Sequence, residues 1–401
     1  MKLRSTSYFV LFIIIVLIFS ACSTPIKDQN QQGKTMNEKE RGAEDIEKKE
    51  TDSNLKEIPE PEPIVKTIHL SAVGDILIHN SVYEDAYVGH NQYDFIPMFE
   101  LVKPYMQNAD ITFANQETVI GGVDLGLSSY PAFNSPVEIG DALKDAGVDL
   151  VSMANNHTLD KKDKAVPLAI EHWNKIDMLY TGAYDSFEDQ NIIRVIEKDE
   201  IKVAFIAYTY GTNGIPVPEG KEFLVNIIDK QKIKEEIDRA KEMSDVIVLS
   251  LHFGNEYERM PNQSQQDLVQ YVVDEGVDII LGTHPHVLQP VSWIQGKEGN
   301  KAFVIYSLGN FVSAQDQLYR QIGGMANIEI QKVIDGDNVE ITLQNPKFLP
   351  TYVKFHNWRD YKIIPMNQLT NDDLMNAQGL YEDIKAHMSQ WVPELEFIEN
   401  I

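Results

Sequence analysis

Carboxylate, amide and imidazole side chains recur in this chain at the places where metal or proton-transfer chemistry is assembled. Asp75, His79, Glu117, Asn156, His157, His252, His284 and His286 each stand just beyond a short apolar run. In α/β sheets that is where strands present their reactive ends. Carboxylate, amide and imidazole donors without a thiolate suit divalent Mn, Zn or Fe, whereas an oxygen-only set would suit Mg or Ca. The His284-Pro285-His286 run can hold one ion or bridge toward two. Singly, each residue also has a structural explanation: His79 and His252 as hydrogen-bonded core histidines, Asn156 as a turn residue, Asp75 as half of a Gly-Asp turn. Their convergence at the ends of successive strands favours a site.

The elements that must position these groups are organised around residues 145–160, DAGVDLVSMANNHTLD. The apolar run 148–153 reads as a buried parallel strand whose carboxyl end presents Asn155, Asn156 and His157. Residues 277–286 align with 148–157 without a gap, so Asn155 overlies His284 and His157 overlies His286. Each run follows a helix-like segment ending in glycine, Gly147 or Gly276. These read as two αβ units that aim ligand-type side chains at one place. Around them, strands are expected over 64–73, 111–114, 201–208, 245–251 and 303–307, and helices over 137–146, 165–176, 229–243 and 263–275. Gly74 reads as the sharp exit from the first strand. The Gly- and Pro-rich loop 211–220 reads as mobile or substrate-facing. From 325 to 355 the pattern becomes an antiparallel meander, and a helix over 372–389 closes the chain.

Composition sets further bounds. The 401 residues are 43% hydrophobic, enough for a substantial core. A net charge of −26 repels polyanions and argues against a nucleic-acid partner. The single cysteine, Cys22, excludes an intramolecular disulfide. Lys2 and Arg4 precede an apolar run over 8–19, and Ser20-Ala21-Cys22 follows. Residues 1–22 therefore read as a lipoprotein signal peptide with Cys22 as the lipidated residue. Cleaved there or kept as an anchor, the leader puts the body at the cell membrane on its extracytoplasmic face. Residues 23–64, rich in Pro, Glu and Gln, read as a disordered spacer.

Gly74-Asp75-Ile76, Asn115-Gln116-Glu117, the run 150–160, His252 with Gly254-Asn255-Glu256, the run 284–290 (HPHVLQP) and the run 306–311 (YSLGNF) together resemble the CapA/PgsA family of poly-γ-glutamate capsule biosynthesis proteins. The resemblance covers residues 66–327 and extends to the calcineurin-like metallophosphoesterases. It implies an α/β fold, a metallophosphoesterase-like β-sandwich flanked by helices over 65–356; the sequence pattern adds a β-rich C-terminal segment and a helical tail over 357–401. It also implies one or two divalent ions, with Asp75 and His286 at the first, Glu117 bridging, and Asn156, His252 and His284 at the second. His157 would protonate a leaving group, and His79, Glu256 and Asn310 are further candidates. The sequence departs from the general phosphoesterase pattern twice: His79 follows Asp75 by four residues rather than two, and Glu117 stands in place of a bridging Asp. Two functions follow as expectations. One is a tethered protein of capsule synthesis or export, in contact with poly-γ-glutamate and other membrane proteins of that process. The other is an extracytoplasmic metal-dependent hydrolase, phosphoesterase or amidase, acting on envelope components.

Overall fold

The computed structural model describes residues 62–400. The leader, Cys22 and the spacer up to residue 61 lie outside the described residues. In chain order the strands begin with β1 (Ile64–Ile76), a small hairpin of β2 (Tyr87–Gly89) and β3 (Gln92–Tyr93), β4 (Ile111–Asn115), β5 (Leu150–Ser152) and β6 (Leu179–Thr181). Next come β7 (Arg194–Lys198), β8 (Ile201–Thr209), β9 (Val246–His252), β10 (Ile279–Thr283), β11 (Leu288–Gln295), β12 (Lys301–Leu308) and β13 (Asn310–Val312). The series ends with β14 (Ile322–Asp335), β15 (Asn338–His356), β16 (Arg359–Pro365) and β17 (Glu396–Phe397).

Besides the β2-β3 hairpin, two large sheets form from these strands. The first runs β16-β15-β14-β1-β4-β5-β6, with β13 beside β1 and β17 beside β15; the second runs β11-β12-β10-β9-β8-β7. The strands β1-β4-β5-β6 and β8-β9-β10-β12 are parallel, and both sets are nearly continuous apolar runs because both faces are covered. Inner faces meet in a central core that includes Ile68, Leu70 and Phe113 from one sheet and Phe205, Val248 and Leu281 from the other. Phe113 and Phe205 stack there with centroids 6.4 Å apart. Helices Glu138–Asp145 and Ala165–Lys175 bury Ile139, Leu143, Ile170 and Trp173 against the outer face of the first sheet. Helices Lys230–Lys241 and Gln263–Asp274 do the same for the second through Ile233, Ile237, Val269 and Val273. The fold is thus mixed α/β, a two-sheet sandwich flanked by helices.

Strand register is pinned by a repeated device. Asp110, Asp149, Asp245 and Asp278 each sit just before a parallel strand, and each carboxylate accepts from a backbone N–H of the neighbouring strand. The donors are His69 (2.7 Å), Thr112 (2.9 Å), Lys202 (2.8 Å) and Ile247 (2.8 Å). A hydrogen bond of this kind contributes about 1 kcal/mol net, and here it also forbids a slip that would move every strand end.

The structure departs from expectation in three places. Gly74 does not end a strand; β1 continues through Ile76, and a Cβ at Gly74 would lie 2.0 Å from the Gly309 carbonyl oxygen. Close approach to the Leu308-Gly309 backbone between β12 and β13, not a turn, requires the glycine. Residues 357–401 are not simply helical: the helix spans Ala377–Met388, but β16 pairs antiparallel with β15 and β17 pairs parallel with it. The run 284–290, read only as a motif, enters β11 at Leu288, antiparallel to β12. Among the described residues no helix is long and apolar enough to cross a membrane.

Candidate metal centre

The carboxyl ends of β1, β4, β5, β9 and β10 converge, and each delivers part of one buried polar cluster. Glu117, two residues beyond β4, sits at its centre. Its Oε1 lies 3.6 Å from His286 Nε2 and 3.8 Å from His252 Nε2, too far for hydrogen bonds. Both Glu117 oxygens are buried without a hydrogen-bond partner, as is Nδ1 of His284. One ligand atom from each of Glu117, His284 and His286 can lie within 4.8 Å of the others. A buried carboxylate lacking donors is costly unless something positive satisfies it. An orphaned carboxylate beside an orphaned imidazole nitrogen is the donor set a divalent ion requires.

The surrounding groups orient these ligands. His286 Nδ1 faces Asp75 Oδ2 at 3.0 Å and Asn310 Oδ1 at 3.1 Å, which leaves Nε2 directed toward Glu117. Asp75 Oδ1 accepts from Asn115 Nδ2 at 2.8 Å, so both Asp75 oxygens are engaged here. On the other side, His252 Nδ1 meets Thr283 Oγ1 at 3.0 Å and its Nε2 meets Asn156 Oδ1 at 2.9 Å. His286 thus has the arrangement that fixes ring orientation at metal sites, partners on one nitrogen and the other aimed inward, whereas both nitrogens of His252 are hydrogen-bonded.

Burial and charge then set protonation. Burial pushes Glu117 well above the usual carboxylate range, with the Asp75 and Glu256 carboxylates adding to the shift and His286 opposing it. Burial also drives His284 down to about 3, helped by His286, and drives His252 well below the usual imidazole range. Both are therefore neutral near pH 7, as ligands must be. For His286 burial acts downward, but the carboxylates of Glu117 and Asp75 outweigh it and raise the group to about 9.

His157 stands beside the cluster, its Nδ1 2.6 Å from the buried carboxylate of Asp160. Asp160 also accepts from the Phe133 N–H at 2.7 Å, and the Phe133 ring meets the His157 ring edge-on at 4.7 Å. His157 Nε2 is thereby left to hold or pass a proton. The start of loop 211–220 faces the site: Asn213 Oδ1 accepts from Asn156 Nδ2 at 3.3 Å and the Tyr210 ring lies 4.6 Å from that of His284.

Asp75, Glu117, Asn156, His157, His252, His284, His286 and Asn310 are therefore brought together. His79 is nearby but turned to the backbone, its Nδ1 3.1 Å from the Leu77 carbonyl and 3.3 Å from the Ala314 nitrogen, with burial lowering it to about 4. Glu256 lies exposed at the rim. Sequence reasoning missed Asn115, Asp160, Tyr210 and Asn213. Asp160 carried a signal, three residues after His157 inside the same run. Asn115 stood two residues before Glu117, Asn213 lay in the loop 211–220 read as mobile or substrate-facing, and Tyr210, just before that loop, carried no signal.

Buried imidazoles and carboxylates at the converging strand ends of a two-sheet α/β sandwich define this molecule as a candidate divalent-metal protein. Residues 69–315 match the model of the bacterial capsule synthesis protein PGA_cap. The chain belongs to that family. It is 31% identical over 261 residues to "Capsule biosynthesis protein CapA" of Bacillus anthracis, covering 61% of this chain and 60% of that one. It is 26% identical over 328 residues to "PGA biosynthesis protein CapA" of Bacillus subtilis strain 168, covering 77% and 81%. Among solved structures it is similar to the calcineurin-like phosphoesterase YfkN from Bacillus subtilis, with 15% identity, a TM-score of 0.44 and coverage of 80% and 98%.

Proposed function

We propose that this chain is a capsule biosynthesis protein of the extracytoplasmic membrane face, tethered through Cys22, that acts on or guides poly-γ-glutamate during synthesis or export. In this reading a divalent metal centre is built on Glu117, His284 and His286, with Asp75, Asn156 and His252 completing it. The observation that carries the metal centre is the orphaned, fully buried Glu117 carboxylate between the rings of His252 and His286. Mn, Zn and Fe match the mixed nitrogen and oxygen donors. A bound divalent ion supplies Lewis acidity toward a phosphoryl or carbonyl oxygen. Family membership and the leader and spacer read from the sequence support the location and the process; other capsule-synthesis membrane proteins are the expected partners.

A second reading, an extracytoplasmic metal-dependent hydrolase of phosphoesters or amides in the envelope, is favoured by one observation. His157 is oriented by Asp160 so that Nε2 can give a proton to a leaving oxygen or nitrogen.

The testing experiment is metal analysis of the full chain, purified in detergent without chelator, beside an Asn156→Ala/His284→Ala double variant. One or two equivalents of Mn, Zn or Fe, lost in the variant, are expected. No bound metal after reconstitution with each ion would remove the metal centre, and a deletion strain with unchanged capsule polymer would remove the capsule role. Turnover of a phosphoester or γ-glutamyl substrate that disappears in His157→Ala would favour the hydrolase; an inert metal-loaded protein would exclude it.

A further inference from the structure

Two arginines supported on tyrosine rings stand at the edge of the metal centre. Of the arginines in residues 62–400, Arg194 pairs with Asp189, Arg359 pairs with Glu84 at 3.6 Å, and Arg239 donates to the Asn191 carbonyl at 3.0 Å. Arg259 and Arg320 have no carboxylate partner among the described residues. Each lies over a tyrosine instead: Arg320 Cζ is 3.4 Å from the Tyr257 ring centroid, and Arg259 Cζ is 3.9 Å from that of Tyr319. All four side chains line one cleft of about 220 Å³. Arg320 Nε is buried there with no hydrogen-bond partner.

The cleft abuts the centre through two contacts. The Tyr257 ring lies 6.1 Å from the His286 ring, and the Arg320 carbonyl accepts from Asn310 Nδ2 at 2.9 Å while Asn310 Oδ1 faces His286 Nδ1 at 3.1 Å. A guanidinium supported on an aromatic face is weakly hydrated and keeps its N–H edge available for a planar oxyanion, which it takes bidentately. Two such edges in one cleft address a ligand with repeated anionic groups better than a single small ion. They also supply local attraction on a surface whose net charge of −26 would otherwise repel that ligand.

We propose that Arg259 and Arg320 form a carboxylate-binding cleft that seats an anionic polymer of poly-γ-glutamate type and leads it to the metal centre. This rests on the capsule-polymer reading above and adds the contact surface to it. The test uses the full chain in detergent micelles, loaded with metal, and a fluorescent γ-glutamate oligomer followed by anisotropy, with inorganic phosphate as competitor. Wild type is expected to bind the oligomer. Arg259→Ala and Arg320→Ala should each weaken binding about tenfold, the double variant about 100-fold, with a shallower salt dependence. Arg320→Lys should recover only part of the loss, because it restores charge without the fork. Melting curves and metal content identify any variant that fails to fold, and Arg320→Lys then carries the comparison.

Oligomer affinity unchanged in the double variant overturns the cleft, as does a metal-loaded wild type with no oligomer affinity. Arginine-dependent binding of phosphate that excludes the oligomer reassigns the cleft to phosphate monoesters and also overturns the proposal. Arginine-dependent oligomer binding by a chain that holds no metal would keep the cleft and remove the metal reading. An unchanged capsule in a deletion strain tests the capsule reading separately.

Discussion

The two αβ units, residues 138–157 and 263–286, begin alike and end differently. Their glycines, Gly147 and Gly276, both hold the left-handed conformation, at φ 97° and 96°. Their aspartates do the same work: Asp149 accepts from Thr112 N and its carbonyl takes Leu179 N, while Asp278 accepts from Ile247 N and its carbonyl takes Phe303 N. At the strand ends the likeness stops. Asn155 is spent on structure, donating through Nδ2 to the Gln116 carbonyl at 2.8 Å while its backbone N–H is held by Thr158 Oγ1. Its counterpart His284 holds φ 94°, keeps an unpartnered Nδ1 and faces Glu117. Asn155 Oδ1 and His284 Nδ1 are both buried without a partner, so what tells the two ends apart is company: His284 stands with Glu117 and His286 in a cluster that could hold an ion, and Asn155 does not.

The largest expected effect breaks this comparison directly. His284→Ala should lower metal affinity by at least about 100-fold, whereas Asn155→Ala should leave metal stoichiometry unchanged and cost about 1–3 kcal/mol of stability. Metal content and thermal melts of the two variants decide it; equal metal loss in both would erase the distinction.

A pH effect comes next. Because His286 in the metal-free chain is raised to about 9, a proton competes with an ion for Nε2 throughout the neutral range. Apparent metal affinity should therefore fall about tenfold per pH unit below that value, with protons released on binding. Calorimetry in buffers of different ionisation enthalpy measures the release. By the same linkage, the stability that protonated His286 lends to the metal-free chain is fully present below pH 6.5 and lost as pH rises through about 9.

Glu117→Gln should weaken metal binding yet raise the stability of the metal-free chain by about 1 kcal/mol at alkaline pH. It removes a carboxylate whose ionisation burial opposes. Denaturant titration of the chelated variant against chelated wild type reads this out. The smallest and most symmetric effect belongs to the aspartates. Asp149→Ala and Asp278→Ala should each cost about 1 kcal/mol, and unequal losses would mean that the units are less alike than their hydrogen bonds.

Much of this was legible in the sequence because it is local. Apolar runs ending in Asn-Asn-His or His-Pro-His announce both a strand and what its end carries, and helices such as Gln263–Asp274 advertise their starts through the Asn262–Gln265 capping box. What escaped was settled by distant partners. The register of β1 against β14, Ile64 opposite Ile334, joins residues far apart in the chain, and no local pattern encodes that choice. Asn115 gains its role only because β1 and β4 are neighbours, which brings its amide to Asp75. The composition of loop 211–220 marked it as mobile or substrate-facing without saying which of its residues meet the site; Tyr210 and Asn213 do so because β8 ends beside β9.

The backbone at His284 and His286 is left-handed, with φ of 94° and 58° at two residues that have side chains. Such conformations cost about 1–3 kcal/mol each and persist only where the surroundings enforce them. A loop under that constraint cannot reshape itself around whichever ion arrives, nor loosen readily to let one go. Exchange should therefore be slow. The metal found after purification is then expected to be a record of the medium in which the cells grew, so cultures grown in Mn-rich and Zn-rich media should yield proteins that still differ after prolonged dialysis against one common buffer.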